Sequence, residues 1–189
     1  MELTDLLNTL AEDSRNARDA RATESRSVKG RVAVIGSGPA GLAAAVELNS
    51  AGCAVQVLEA APSCGITLLR RPAQESSSEA PASFAPVSEE ERAALAARLS
   101  ASGIAIRTSA PQGMAELESL LQRFDAVLCA CGKAAVLPAD EHGRVRDNLF
   151  AAGTCVKNRK VQDAFQAADS GRLAARSVCA FLEGRNCAS

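Results

Sequence analysis

A short apolar run followed by three closely spaced glycines constrains the fold of this chain more than any other feature. Residues 31–36 read RVAVIG, and Gly36, Gly38 and Gly41 follow the pattern G-x-G-x-x-G. An unbroken apolar run rich in valine and isoleucine predicts a strand buried on both faces. The next residues, PAGLAAAVELNSAG, predict a helix that ends at Gly52, and AVQVLE predicts a second strand. Together they predict a βαβ unit.

The spacing of the glycines indicates a phosphate-binding loop. Gly36 permits the tight turn, Gly38 lets the backbone approach a pyrophosphate, and Gly41 brings the helix close to the strand. The N-terminus of the helix presents N–H groups and partial positive charge to phosphates. Glu59 ends the second predicted strand about twenty residues further on, where a carboxylate accepts hydrogen bonds from an adenosine ribose and repels a 2'-phosphate. The sequence therefore predicts ADP recognition, with a glycine turn in an empty α/β domain as the alternative.

The rest of the chain continues the alternation of helices and strands. The residues SEEERAALAARLSAS predict a helix with a capping box of Ser88 and Glu91, and IAIRT predicts a third strand. GMAELESLLQRF predicts a helix, DAVLCACG and NLFAAG predict two further strands, and VQDAFQAADSGRLAARSVCAFLEG predicts a closing helix. This pattern predicts an α/β fold, a Rossmann-like domain whose central parallel sheet has the strand order 3-2-1-4-5.

Three segments lie outside this alternation. Residues 1–29 carry leucines at helical spacing and then a polar stretch, which predicts an amphipathic helix and a linker that are candidates for partner docking. The predicted domain covers residues 30–186, with a flexible Ser-, Ala- and Pro-rich stretch at 73–87. Residues 187–189 form a predicted tail.

Composition argues against several classes of function. The formal net charge of the 189-residue chain is -1, and neither Tyr nor Trp occurs, so neither a basic footprint nor stacking residues indicate nucleic-acid binding. The sequence shows no signal peptide and no apolar span long enough for a membrane helix, which favours a cytoplasmic protein without membrane insertion. Seven cysteines, an odd number, do not suggest a disulfide framework.

The later segments resemble a known family. DAVLCACG and LFAAGTCVKNRKVQDAFQAADSGRLAA are similar to the closing elements of the two-dinucleotide-binding-domain flavoproteins, above all the glutamate synthase small-subunit and iron-sulfur flavoprotein branch. The resemblance covers residues 31–182 and implies FAD as the cofactor. It places Gly132 at the end of the middle strand, and Gly153 with Thr154 at the family's Gly-Asp pair. The helix turn at 161–164 would face the flavin.

The candidate cofactor-binding residues combine the glycine loop, the ribose carboxylate and the positions that the resemblance implies. Lys157, from the segment KNRK, is included as a cation for the pyrophosphate or a reduced flavin, with a solvated loop as the equal alternative. The full set is Gly36, Ser37, Gly38, Pro39, Ala40, Gly41, Glu59, Ala60, Gly65, Cys131, Gly132, Gly153, Thr154, Lys157, Val161 and Ala164.

The sequence departs from the family in ways that bear on function. Thr154 replaces the family's Asp, so that position carries no charge, and Cys64 beside Gly65 replaces a glycine pair. Residues 132–149 are too few to hold the pyridine-nucleotide domain that the family inserts there, so we expect no separate NAD(P)H domain. Residues 1–30 contain no cysteine to ligate the iron-sulfur cluster of the relatives.

These observations predict an FAD-binding electron-transfer subunit of a multi-subunit oxidoreductase. Its partners in the hetero-oligomer would hold the iron-sulfur clusters and the catalytic site. One alternative is a structural or regulatory subunit that binds FAD weakly or not at all. Another is a free-standing FAD-dependent oxidoreductase, which the lack of an acid-base residue disfavours.

The remaining reactive side chains give weaker signals. Cys129 and Cys131 alternate on a predicted strand and would point to the same face, which indicates core packing rather than a metal site. Cys64 and Cys155 fall in predicted cofactor loops, where a thiol–flavin relay is the alternative to a structural role. His142 is the only histidine, and its place in a predicted turn argues against a hydrolase triad. No catalytic residue and no metal ligand is assigned.

Overall fold

A central sheet organises the computed structural model, which describes residues 28–65, 69–70, 85–161 and 163–186. The strands are β1 (Arg31–Ile35), β2 (Ala54–Leu58), β3 (Leu69–Arg70), β4 (Ala85–Pro86), β5 (Ala105–Arg107), β6 (Ala126–Cys129), β7 (Arg144–Arg146) and β8 (Leu149–Ala151). Six of them form one sheet in the order β5-β2-β1-β6-β8-β7, and β3 pairs with β4 separately.

Four helices and two 3-10 turns connect the strands in the described part of the chain. The helices are α1 (Pro39–Ser50), α2 (Glu89–Ala101), α3 (Met114–Arg123) and α4 (Ala164–Asn186), and the 3-10 turns are Gly132–Ala134 and Gly153–Cys155. The predicted capping box of α2 is confirmed, because the Ser88 hydroxyl accepts the Glu91 N–H and the Glu91 carboxylate accepts the Ser88 N–H.

The strand order confirms the predicted α/β Rossmann-like fold. Strands β5, β2, β1, β6 and β8 are parallel to one another. The chain runs outward from β1 through β2 to β5 and then crosses back to β6 on the other side of β1. This reversal opens a crevice at the carboxyl ends of β1 and β6, where ligands bind in open parallel sheets.

Both faces of the sheet are covered, as the alternation of side chains in β1 shows. Val32 and Val34 belong to the core cluster on the side of α1, α2 and α4, whereas Ala33 and Ile35 belong to the cluster on the side of α3. All four side chains are buried, which explains why β1 is apolar after its exposed first residue, Arg31. No described helix is both long enough and apolar enough to pass through a bilayer.

Four details differ from the sequence predictions. Strand β7 pairs antiparallel with β8 at the sheet edge and was not predicted. Strand β6 ends at Cys129 rather than running to Gly132. Helix α4 begins at Ala164, after Asp163, rather than at residue 161, because the Asp163 carboxylate accepts the Gln166 N–H and caps the first turn.

The fourth difference concerns the predicted flexible stretch. Its end forms β4 and the buried Val87, so residues 85–87 are part of the ordered fold. The predicted N-terminal helix, the part of the flexible stretch at 73–84 and the tail at 187–189 lie outside the described residues.

Candidate functional site

The turn between β1 and α1 is built so that only glycine fits at its first position. Gly36 has a φ of +101°, and a Cβ there would lie 2.5 Å from the carbonyl oxygen of Ala130 at the end of β6. A Cβ on Gly41 would overlap the carbonyl oxygen of Gly36. These two glycines therefore let α1 start directly against the ends of β1 and β6, as the sequence predicts.

Helix α1 presents an uncompensated N-terminus. Gly38 is its N-cap residue and supplies no side-chain cap, Pro39 occupies the first helical position, and the first turn has no acidic residue. The first N–H groups of a helix have no partner within the helix, so they carry the positive end of its dipole. Such a terminus binds anions, phosphates above all.

Glu59 follows β2 and is held in place by neighbouring donors. The Ser37 N–H donates to Oε2 over 2.9 Å and the Ala61 N–H donates to Oε1 over 2.8 Å. The Ser37 hydroxyl also donates to Oε2 and accepts the Gly65 N–H over 2.8 Å. These bonds orient the carboxylate beside the glycine turn.

A cavity of about 610 Å³ lies at the carboxyl ends of β1, β2, β6 and β8, in the crevice that the strand order creates. Most of the sequence-predicted site residues are brought together around it. Those that line the cavity are Gly36, Ser37, Gly38, Pro39, Ala40, Glu59, Ala60, Cys131, Gly132, Gly153, Thr154, Val161 and Ala164.

Three predicted residues do not line the cavity. Gly41 lies behind the turn, against Gly36, and Gly65 donates its N–H to the Ser37 hydroxyl from outside the cavity lining. The Lys157 side chain is exposed, so the structure does not bring it to the cavity.

Arg159 is the cation of this loop that turns inward. Its Nη1 donates to Ser170 Oγ over 2.7 Å, and the same oxygen accepts the Gly153 N–H over 2.9 Å. Ser170 is buried, which makes the hydrogen bonds between these groups stronger than they would be in water. Arg159 therefore fixes the Gly153 turn through Ser170.

Sequence reasoning missed the loop after β5 and the residue before α4. Ala110, Pro111 and Gln112 line the cavity, as does Asp163. The loop could have been found from the rule that ligands bind beyond the carboxyl ends of parallel strands, since IAIRT was predicted as one. Asp163 is recognisable as a helix cap only once the start of α4 is known.

Two glycine turns form the opposite wall of the cavity. Gly132 and Gly153 both have a φ of +66°, and each opens a 3-10 turn just past the end of a parallel strand, β6 and β8. A Cβ on Gly132 would lie 3.6 Å from Thr154 Oγ1, and one on Gly153 would lie 3.0 Å from the Ala40 Cβ. The two turns are thus adjacent to each other and to the first turn of α1.

The charges of the cavity wall limit how a phosphate could be bound there. Its charged side chains, among the described lining residues, are the carboxylates Glu59 and Asp163, and no lysine or arginine lines it. A phosphate there would have to be bound by the N–H groups of α1. Many of the other lining residues are glycine or alanine, so the backbone itself forms much of the wall and leaves room for a large ligand.

Cysteine thiols form a further feature of the wall. Cys131 is half-buried and lines the cavity, and its Sγ lies 3.9 Å from Sγ of the buried Cys155. The hydrogen bond from Cys155 lowers the pKa of Cys131 to about 7, and the same contact together with burial raises the pKa of Cys155. Burial raises the pKa of Cys129 to about 12.

This arrangement corrects one expectation about the thiols and supports another. Cys131 lies beyond the end of β6, but it packs on the same core cluster as Cys129, as predicted. Cys155 is buried beneath the cavity wall rather than lining it. Cys64 is also buried, and burial raises the pKa of its thiol. No cluster of three or more potential metal ligands occurs among the described residues.

The chain is similar to known proteins mainly in its fold. Many solved structures match it, and three of them illustrate the similarity. A thioredoxin reductase from Gloeobacter violaceus is 11% identical, with 85% of this chain and 97% of that one covered and a TM-score of 0.50. THI4 from Thermovibrio ammonificans is 14% identical, with coverage of 92% and 96% and a TM-score of 0.45. The NADH:rubredoxin oxidoreductase from Clostridium acetobutylicum is 17% identical, with coverage of 87% and 41% and a TM-score of 0.38.

A family model gives the most specific match in sequence. No curated protein shows significant similarity to the chain. The model of the NAD(P)-binding Rossmann-like domain matches residues 34–99, which include the glycine turn, α1, β2 and Glu59. The chain is therefore a Rossmann-like α/β protein in which residues 34–99 are similar to an NAD(P)-binding domain.

Proposed function

We propose that the chain is an FAD-binding electron-transfer subunit of a multi-subunit oxidoreductase. One observation carries the proposal: a helix N-terminus and an oriented carboxylate face the same cavity as two glycine turns from neighbouring strands. The helix N-terminus and the Glu59 carboxylate suit the ADP half of a dinucleotide. The glycine turns extend the cavity beyond that half and provide a second set of backbone contacts.

The size of the cavity and the fold support a dinucleotide redox cofactor. A volume of about 610 Å³ lies within the range of about 300–1,000 Å³ of small-molecule sites. The family match to NAD(P)-binding domains supports the adenine dinucleotide part of the proposal. The similarity in fold to a thioredoxin reductase supports a redox role.

Each part of the chain has a distinct task in this proposal. The first turn of α1 binds the pyrophosphate, Glu59 accepts hydrogen bonds from the ribose, and Arg159 holds the Gly153 turn through Ser170. Bound FAD would supply the exchange between two-electron and one-electron steps. Thr154 places a neutral hydroxyl at the cavity wall, which would allow a hydrogen bond to the cofactor without adding charge.

The electron donor and acceptor are proposed to lie on partner chains. Residues 132–149 form β7, the start of β8 and the loops around them, with no βαβ unit among them to bind a second dinucleotide. Partners with iron-sulfur clusters would accept the single electrons that a flavin can release.

A structural or regulatory subunit with weak or no FAD binding is the second candidate. Two carboxylates favour it. Glu59 already accepts the hydroxyl and N–H of Ser37, and a ribose must compete with them. Asp163 caps α4 and lines the cavity, so the positive end of that helix already carries an anion.

Binding of four ligands to the purified full-length chain tests the proposal. FAD is titrated by calorimetry and by quenching of flavin fluorescence, and FMN, ADP and NADH are measured in parallel. We expect FAD to bind, ADP to compete with it and FMN, which lacks the ADP half, to bind at least tenfold more weakly. Failure of FAD to bind would support the second candidate, and tighter binding of NADH than of FAD would refute the choice of cofactor.

Two matched variants identify the binding site. Glu59→Ala removes a carboxylate that we assign to the ribose, whereas Glu90→Ala removes an exposed carboxylate on α2. Because a hydrogen bond to a charged group contributes about 1.5–3 kcal/mol, FAD affinity should fall at least tenfold in the first variant and stay unchanged in the second. Reduction of bound FAD by a reduced ferredoxin then tests electron transfer.

A further inference from the structure

Two cysteines meet at the cavity wall although they are 24 residues apart in sequence. Cys131 follows β6 and Cys155 ends the 3-10 turn after β8, and these two strands are parallel neighbours in the sheet. The carboxyl ends of parallel neighbours lie at the same edge, so the two thiols come together. Their sulfur atoms are 3.9 Å apart, which is close to van der Waals contact.

The environments of the two thiols differ in the way that a reactive pair requires. Cys131 is half-buried and lines the cavity, so a small molecule can reach its sulfur. Cys155 is 0% exposed and can be reached only by its neighbour. An accessible attacking thiol next to a sheltered resolving thiol is the arrangement that thiol–disulfide exchange needs.

We propose that Cys131 and Cys155 form a redox-active dithiol whose substrate is a low-molecular-weight disulfide that enters the cavity. The inference goes beyond the proposed function and does not depend on FAD binding. The hydrogen bond from Cys155, which lowers the pKa of Cys131 to about 7, keeps a large fraction of the attacking thiol ionised at neutral pH.

The exchange proceeds in two balanced steps. The Cys131 thiolate attacks one sulfur of the substrate RS–SR, a Cys131–S–SR bond forms, the substrate S–S bond breaks and RS⁻ leaves. Cys155 then attacks Cys131 Sγ, which forms the Cys131–Cys155 disulfide and breaks the bond to the remaining SR group, and that group takes the proton of Cys155 and leaves as RSH. Two electrons pass from the protein dithiol to the substrate, which ends as two thiols after taking up protons.

The new bond would join the two glycine turns of the cavity wall. Cys131 precedes Gly132, and Cys155 follows Gly153 and Thr154 in the adjacent turn. The distance between the two sulfurs must shorten from 3.9 Å to the S–S bond length of about 2.05 Å, a change of the scale that side-chain rotation and small turn movements provide. Oxidation would therefore act directly on the wall of the dinucleotide site.

Peptide mapping under non-reducing conditions tests the dithiol. The full-length chain, free of nucleotide, is reduced, exposed to oxidised glutathione, blocked with N-ethylmaleimide and digested with trypsin. Cleavage after Arg123 and Lys133 releases Cys129 and Cys131 in the peptide 124–133, and cleavage after Arg146 and Lys157 releases Cys155 in 147–157. We expect these two peptides to be joined by a disulfide.

Three variants assign the roles within the pair. Cys155→Ala should stop at a stable glutathione adduct on Cys131, and Cys131→Ser should leave Cys155 unmodified. Cys129→Ala, a matched control on the same peptide, should keep the cross-link. Circular dichroism verifies that each variant is folded. If a variant does not fold, the cross-link measured on the unmodified chain still tests the proposal.

Three outcomes, two on the unmodified chain and one on folded variants, would overturn the proposal. One is absence of the cross-link after the glutathione treatment. The second is its loss in Cys129→Ala together with its retention in Cys131→Ser, which would assign it to the other cysteine of the peptide. The third is a disulfide only between Cys53 and Cys179, which are hydrogen-bonded to each other on the far side of the core.

Discussion

Replacing Gly171 by alanine should displace helix α1, whose N-terminus we assign to the phosphates. Gly171 itself does not line the cavity. Gly171 lies buried in α4, where it packs on Ala40 in the first turn of α1. A Cβ at this position would overlap the carbonyl oxygen of Ala40 and would lie 2.8 Å from its carbonyl carbon and 3.0 Å from its Cα. The atoms in the way belong to backbone, so no side-chain rotation relieves the clash.

The expected magnitude follows from two opposing effects. Carbon atoms pack at about 3.5–4.0 Å, so the two helices must separate by roughly 1 Å. Overpacking of this kind costs about 1–3 kcal/mol, and the backbone contact puts Gly171→Ala at the upper end of that range. Alanine gains about 0.5–1 kcal/mol over glycine within a helix. The free energy of unfolding should therefore fall by about 2 kcal/mol.

Gly184 provides a matched control in the same helix. A Cβ on Gly184 would meet no atom within 4 Å, so Gly184→Ala should gain the helical preference alone and raise the free energy of unfolding by about 0.5–1 kcal/mol. Urea denaturation followed by circular dichroism measures both variants. FAD titration should show an affinity loss of at least tenfold in Gly171→Ala and none in Gly184→Ala, because only the first displaces the N-terminus of α1.

The difference in the free energy of unfolding between Gly171→Ala and Gly184→Ala tests whether the two helices approach as closely as described. If the two variants are equally stable, the close approach of α1 and α4 at Gly171 does not exist as described. If Gly171→Ala is destabilised but binds FAD normally, the first turn of α1 does not hold the phosphates, and the proposed use of that helix is wrong.

Two further predictions concern the opposite wall of the cavity. Alkylation of Cys131 by iodoacetamide should accelerate as the pH rises through about 7, because the hydrogen bond from Cys155 lowers the pKa of Cys131 more than burial and the nearby Glu59 raise it. Mass spectrometry on protein that retains Cys155 measures this rate, and a midpoint near the ordinary cysteine value of 9.0 would contradict the prediction. Arg159→Met should lower the free energy of unfolding by about 1 kcal/mol and weaken FAD binding, since it removes the bond to Ser170, whose hydroxyl accepts the N–H of the Gly153 turn. Lys157→Met alters an exposed side chain and should change neither quantity in the same denaturation and titration assays.

The parts of the fold that sequence predicts are those with strong local signals. The glycine spacing and the apolar run of β1 are sufficient to predict β1, α1 and β2, and the alternation that follows gives the order of the five parallel strands. Strand β7 has the sequence RVR, in which the flanking arginines are exposed and only Val145 turns inward. So short an edge strand carries no periodicity to detect, and it forms because β8 offers it a free edge.

The contacts within the site depend on tertiary structure to a greater degree. Nothing in the sequence KNRK distinguishes Lys157 from Arg159, because which cation turns inward depends on where Ser170 lies along α4. The sequence alone likewise does not predict that Cys131 lies beside Cys155. It follows from strand order, since β6 and β8 must be neighbours before their end residues can meet.

The short segment between the two glycine turns explains how the cavity wall is complete without an inserted domain. Leu137 accepts the Lys157 N–H and donates its own N–H to the Cys155 carbonyl, both over 2.8 Å, so the segment pairs directly with the residues that follow the Gly153 turn. The pairing of β7 with β8 fixes the other end of the segment. Main-chain bonds therefore hold the Gly132 and Gly153 turns side by side, and a second dinucleotide-binding domain is not needed to shape this wall. The open side of the cavity is where an electron donor would approach, and the proposed function places that donor on a partner chain.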